Sequence, residues 1–119
     1  MLPRVKVHEM VEFSIEIDKG SVNFAVKVVG NSMAPLLCNG DILLVSKKRW
    51  VRHKELGIFL IDGKMYAELY YSKGNNCRLI SLDLDINSIV LSPENLHKVT
   101  CLGAVVKILH PGEYKIHEE

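Results

Sequence analysis

The sequence predicts a mostly β domain with very little helix. Its 119 residues contain short runs in which apolar and polar side chains alternate as in strands, whereas helical periodicity is scarce. Glycine, proline, asparagine and aspartate separate these runs, as they do where a chain turns between strands. Hydrophobic residues make up 48% of the chain and charged residues 24%, which indicates an ordinary globular domain rather than a disordered chain.

Eight segments have the pattern of strands. Residues 11–17 alternate strictly, as a half-buried strand does, and Asp62-Gly63 is a strong hairpin signal between two later segments. A short helical turn is expected at residues 33–37, where Pro35 suits a first turn. The predicted strands are residues 11–17, 22–29, 42–46, 57–62, 64–71, 77–82, 86–91 and 99–109.

The two ends of the chain show no comparable pattern. We interpret residues 1–10 as a tail or the remnant of an interdomain linker, and residues 111–119 as a C-terminal tail. Residues 11–110 are then the folded domain.

Charge and composition exclude several classes of protein. A net charge of +1 argues against nucleic-acid binding by bulk electrostatics. Three cysteines without a CxxC pair argue against a disulfide framework or a zinc site, and the five histidines form no metal-binding motif. No signal peptide or membrane-spanning run is visible. We therefore expect a cytoplasmic protein without membrane contact, metal or cofactor.

A basic stretch, residues 47–54, holds five lysine or arginine residues. It is interpreted first as a solvated loop between two buried strands. The alternative is a contact for nucleic acid or an acidic partner, with Trp50 available for stacking.

The most informative segment runs from residue 28 to residue 45. A glycine-bearing break follows a predicted strand and presents Ser32 ahead of the helical turn, where backbone N–H groups can stabilise an oxyanion. A lone serine at such a junction is usually only a helix cap. Here, however, the serine lies in the pattern G-x-S-M-x-P, followed by G-D-I-L-L-V, and the pattern comprises Gly30, Ser32, Met33, Pro35, Gly40 and Asp41.

This pattern resembles the nucleophile segment of the self-cleaving C-terminal domains of LexA and phage repressors, the S24 peptidase-like family. Segments 55–60, 78–82 and 101–106 are similar to later strands of the same family, so the likeness covers about residues 12–109. It implies a LexA/signal-peptidase-like bent β-sheet, a homodimer and Ser32 as the nucleophile. The residues that it implies shape the site are Gly30, Met33, Pro35, Gly40, Asp41 and Tyr66.

The catalytic lysine of that family is replaced. It belongs to a pattern like G-x-x-Y-V-K-x-Y, whereas residues 63–70 read GKMYAELY, with Tyr66 aligned and Glu68 at the lysine position. Lys64 shares the strand face but lies about 13 Å away at 3.3 Å per residue, so it replaces the base only after a four-residue register slip. Glu68 acts as a base only if burial raises its pKa. The third interpretation is a decayed active site.

The family also cleaves itself at an Ala-Gly or Cys-Gly bond before the serine. Only Gly20 and Gly30 precede Ser32, and they follow Lys19 and Val29. The predicted function is therefore the dimerisation and regulatory domain of a bacterial or phage repressor, a degenerate autopeptidase. DNA binding is expected only through an N-terminal helix-turn-helix that is not among these residues. The alternative is an active serine-dependent self-cleaving peptidase.

Overall fold

β-Strands account for almost all of the regular structure. The computed structural model describes residues 5–6, 13–15, 22–83, 87–114 and 116–118. One 3-10 helix, Leu96–Lys98, precedes the longest strand. The strands are β1 (Val5–Lys6), β2 (Phe13–Ile15), β3 (Phe24–Val28), β4 (Ile42–Ser46), β5 (Leu56–Ile61), β6 (Lys64–Lys73), β7 (Asn76–Ser81), β8 (Ile89–Val90), β9 (Val99–Leu109) and β10 (Ile116–Glu118).

Eight of these strands form one antiparallel sheet in the order β1-β3-β4-β9-β5-β6-β7-β8, and β10 pairs separately with β2. β9 lies in the middle, because it pairs with β4 on one side and β5 on the other. The register shifts between Leu44 and Val45 and again between Ile58 and Phe59. Such irregularities bend a strand and increase its twist, so the sheet bends on both sides of β9.

The close approach of β9 to β4 requires glycine at position 103. A Cβ atom there would lie 2.3 Å from the Ser46 carbonyl oxygen and 2.7 Å from Cγ1 of Val45. No side chain fits at that distance, so Gly103 allows the central strand to pass its neighbour.

Two apolar clusters cover opposite faces of the sheet, because successive residues of a strand point to opposite sides. On β6, Met65 and Ala67 pack in the first cluster, whereas Tyr66 and Tyr70 pack in the second. The buried residues of the first cluster are Val26, Val28, Met33, Leu37, Leu43, Val45, Ile58 and Ala67. Those of the second cluster are Val51, Phe59, Ile61, Tyr66, Leu79 and Ala104.

The mostly β prediction is confirmed, and six predicted strands match β3, β4, β5, β6, β7 and β9 closely. The predicted hairpin turn has φ of 52° at Asp62 and 75° at Gly63, as a tight two-residue turn requires. Of segment 11–17 the structure describes only β2, and segment 86–91, whose first residue lies outside the described part, contains β8. Both predicted tails contribute a short strand, β1 and β10, too short to leave an alternating pattern.

Candidate functional site

Ser32 lies in a turn that follows β3, and its side chain is exposed. The turn is fastened to the segment before β4 by two asparagines. The Gly30 N–H donates to Oδ1 of Asn39 (2.8 Å), and the Asn39 N–H donates to Oδ1 of Asn31 (3.0 Å). Gly30 has a φ of 86°, which few other residues adopt. These contacts fix the backbone on both sides of the serine.

Apolar anchors hold the same turn against the sheet. Met33 and Leu37 are each 1% exposed and belong to the first cluster. The Leu37 N–H donates to the Met33 carbonyl (3.1 Å) and closes a hydrogen-bonded turn. Residues 33–37 are not helical, and the Ala34–Pro35 peptide is cis, so Pro35 does not begin the helical turn that the sequence predicts. Burial of Met33 leaves the adjacent Ser32 at the surface.

Asp41 connects the serine turn to the end of β9. Its side chain is 1% exposed, accepts the Cys38 N–H at Oδ2 (2.8 Å) and accepts Nδ1 of His110 at Oδ1 (3.0 Å). The hydrogen bond to Asp41, followed by the negative charge of that carboxylate, raises the pKa of His110. Beside it, the Tyr114 hydroxyl donates to the Gly40 carbonyl.

The family pattern in the sequence includes Gly40 and Asp41 but not their partners. His110 is one of five histidines that form no metal-binding motif, and Tyr114 lies in the segment predicted to be a tail. Both lie about 70 positions from the turn they contact, with separations of 69 and 74 residues. Contacts over such a separation leave no pattern among neighbouring residues and cannot be predicted from them.

Glu68 is fully buried. It pairs across the sheet with Gly57 of β5 and Ser81 of β7, and it is 0% exposed. Neither carboxyl oxygen has a hydrogen-bond partner among the residues that the structure describes. Desolvation by burial raises the pKa of Glu68 from 4.5 to about 7. A buried charge without a partner is strongly disfavoured, so the neutral acid is the form that this position accepts most easily.

The structure does not join Ser32 to Glu68 by a hydrogen bond. Glu68 shares its face of β6 with Tyr66 and Tyr70, which pack in the second cluster. Met33, next to the serine, packs in the first cluster with Ala67. Thus Tyr66 lies on the Glu68 side, and the serine turn is anchored on the other. Lys64 is exposed at the beginning of β6.

Two backbone N–H groups of the serine turn already donate hydrogen bonds within the turn. The Ala34 N–H donates to the Asn31 carbonyl (3.1 Å), and the Leu37 N–H is used in the turn described above. Neither is free to stabilise an oxyanion at Ser32. This turn therefore offers an oxyanion fewer backbone N–H donors than the sequence alone predicts.

The basic stretch is a loop packed against β5 and β6. The Trp50 ring is half-buried, with its centroid 5.4 Å from that of Phe59 and 5.5 Å from that of Tyr70, both edge-on. The Ser72 N–H donates to Nδ1 of His53 (2.9 Å). Trp50 thus packs against the second cluster through these edge-on contacts, and part of its ring remains exposed. Lys47, Lys48 and Arg49 remain exposed.

Across the described ranges, no three histidine, cysteine, aspartate or glutamate side chains are grouped so as to hold a metal ion. No helix in that part of the chain is long and apolar enough to cross a membrane.

This chain is similar to one protein family and to LexA repressors of several bacteria. The model of the Peptidase S24-like family matches residues 4–106. The LexA repressor of Thermotoga petrophila is 29% identical over 106 residues, which cover 84% of this chain and 52% of the repressor. That of Myxococcus xanthus is 30% identical over 108 residues (84% and 49%), and that of Clostridioides difficile is 24% identical over 111 residues (92% and 53%). The chain spans about half the length of these relatives.

Proposed function

The chain belongs to the Peptidase S24-like family, and from this membership we propose that it is the regulatory and dimerisation domain of a LexA-like transcriptional repressor that has lost self-cleavage. The relatives that it matches are named as repressors. We place the proposed protein in the cytoplasm, where such a regulator meets DNA.

The observation that carries the loss of cleavage is the state of Glu68. A serine nucleophile needs a base within hydrogen-bond reach of its hydroxyl. At the position where the family has a lysine, this chain has a buried carboxyl group, and that group makes no hydrogen bond to any described residue, Ser32 included. Ser32 therefore occupies the nucleophile position of the family pattern, but the residue at the position of the family's base makes no hydrogen bond to it.

The test uses the natural protein together with whatever sequence precedes Met1. We expect the chain to stay intact by mass spectrometry during prolonged incubation at pH 9–10, in the wild type and in Ser32→Ala alike. Wild-type cleavage that Ser32→Ala abolishes would contradict the proposal.

One observation favours the alternative, an active peptidase. With its pKa raised to about 7, Glu68 is a stronger base than an ordinary carboxylate. That alternative predicts cleavage that increases as pH rises through about 7 and disappears in Glu68→Gln. The isosteric amide keeps the shape of the side chain and removes its ability to take a proton, so the pH profile separates the two functions.

Dimerisation and DNA binding are assigned to different parts of the proposed protein. A symmetric dimer suits a repressor because two-fold protein symmetry matches palindromic operators. The helix-turn-helix would come from a segment preceding these residues. Sedimentation equilibrium should give twice the 13.4 kDa chain mass at micromolar concentration. A mass of one chain at every concentration up to the millimolar range would contradict dimerisation by this domain.

A further inference from the structure

An open groove of about 830 Å³ lies beside the basic loop, on the face of the sheet that carries the second cluster. Four parts of the chain form its walls: the loop before β5, the β6–β7 hairpin, the segment around the 3-10 helix and the beginning of β9. Neither Ser32 nor Glu68 lines it. The groove is therefore separate from the serine turn, and an inference about it does not depend on whether the peptidase is active.

The walls of the groove are mainly apolar and well supported. Trp50 forms one side and is held by its edge-on contacts with Phe59 and Tyr70. Leu91 and Val99 pack against the second cluster from the groove, and Leu96 is 47% exposed at its rim. Such a surface gains free energy when an apolar group covers it.

One end of the groove is positively charged. A second depression of about 390 Å³ shares Arg49 and Cys101 with the groove and is also lined by Lys47 and Lys48. Lys48 is 3.9 Å from Glu55, a long contact at the surface that holds the ammonium group only weakly. Lys47 and Arg49 form no ion pair with any described residue. The apolar groove therefore ends beside positively charged side chains that can pair with an anion.

We propose that this groove binds a small amphipathic carboxylate, with its aliphatic or aromatic body on Trp50 and Leu96 and its head on Arg49 and the neighbouring lysines. The volume lies within the range of pockets for small ligands, roughly 300–1,000 Å³, and apolar walls with a few charged groups are typical of such pockets. The guanidinium group of Arg49 suits a carboxylate because it donates two parallel hydrogen bonds.

The first experiment titrates the 119-residue chain with dodecanoate below its critical micelle concentration. Trp50 is the only tryptophan, so its fluorescence reports directly from the groove wall. We expect a saturable change with one site per chain. Dodecyltrimethylammonium has the same tail and the opposite charge, and it should bind at least about tenfold more weakly. Equal affinity for the two probes, or no saturable change with dodecanoate, would overturn the proposal.

Matched variants test the two halves of the groove. Arg49→Glu should weaken dodecanoate binding about tenfold, whereas Lys107→Glu makes the same change of charge at an exposed position on β9 that does not line the groove. Leu96→Asp should also weaken binding, whereas Val106→Asp is the control, since the two side chains are 47% and 48% exposed. Equal losses in a variant and its control would rule out the site. All four positions are at the surface, and circular dichroism checks that each variant is folded.

A second copy of this chain is the competing occupant. It predicts that Trp50 emission changes with protein concentration when no probe is present, and that dodecanoate dissociates the dimer. That pair of results would overturn the small-ligand proposal.

Discussion

At the scale of single residues, Glu68 shows that burial shifts the pKa of a lysine and the pKa of a carboxyl group in opposite directions. Burial in an apolar setting lowers the pKa of a lysine and raises that of a carboxyl group, because both are driven toward the neutral form. The position where the family has a lysine is 0% exposed in this chain, and the pKa of Glu68 rises to about 7. A neutral lysine is a base, whereas a neutral carboxyl group is an acid. Glutamate in place of lysine therefore changes this buried position from a proton acceptor to a proton donor.

This raised pKa makes folding stability depend on pH. Below about pH 4.5 Glu68 is protonated in both states, and between 4.5 and about 7 the folded state keeps a proton that the unfolded chain releases. Stability therefore falls as pH rises through this window, and above it the full penalty of roughly 3 kcal/mol applies. We expect Glu68→Gln to be more stable than the wild type at pH 8, with a smaller difference at pH 5, in urea denaturation. Glu94→Gln, at an exposed position, is the control. A Glu68→Gln difference from the wild type that is the same at both pH values would contradict the assignment.

His110 gives the opposite pH dependence. Its pKa is raised in the folded state by Asp41, so its contribution to stability is complete below the unfolded value of 6.5 and is lost as pH rises through the higher folded value. His110→Gln should therefore lower the urea midpoint more at pH 6 than at pH 9. NMR titration should give His110 a pKa above the ordinary histidine value of 6.5. A loss of stability that is equal at both pH values would show that the contact with Asp41 is not charge-dependent.

At the scale of elements, the serine turn is held more by side chains than by regular structure. The family pattern in the sequence includes Gly30, Met33 and Asp41 of this turn. It does not include Asn31 and Asn39, whose amide oxygens accept backbone N–H groups across the turn. Two asparagines eight residues apart have no local signature, because the contact exists only once the chain has turned back on itself.

Asn39→Ala tests this fastening. The variant removes the acceptor of the Gly30 N–H, which should cost about 1 kcal/mol and increase hydrogen exchange at the Gly30 amide. Asn75→Ala in the exposed β6–β7 turn is the control and should leave that amide unchanged. Unchanged protection of Gly30 in Asn39→Ala would show that the asparagine does not hold the turn.

The strands were predictable to different degrees for a physical reason. β4 is a fully buried run of five mostly apolar residues, β9 has eleven residues, and the hairpin joining β5 to β6 carries its turn signal at Asp62-Gly63. β1 and β8 have two residues each, too few to show a period. The alternation along β6 does not predict the burial of Glu68, because burial depends on what packs over the second face of the sheet.

At the scale of the whole molecule, β9 joins two halves of the sheet, which also pack against each other in the first cluster. One half is β1, β3 and β4, and the other runs from β5 to β8. β9 pairs with β4 through Ala104 to Leu109 and with β5 through Val99 to Ala104, so the two pairings overlap only at Ala104, next to Gly103. Both halves therefore depend on the central strand and on the first cluster, which favours unfolding of the described sheet as one cooperative unit.

Gly103→Ala tests this dependence. The added Cβ would lie 2.3 Å from the Ser46 carbonyl oxygen, so β9 and β4 must move apart, at a cost of roughly 1–3 kcal/mol. Trp50 fluorescence reports the half that contains β5 to β8, and far-ultraviolet circular dichroism reports all strands. We expect the two urea transitions to coincide in the wild type and to shift together to lower urea in the variant, as for a two-state unit. Thr100→Ala, an exposed change on the same strand, should leave both midpoints nearly unchanged. If the transitions separate in Gly103→Ala, the halves unfold independently and the central strand does not couple them.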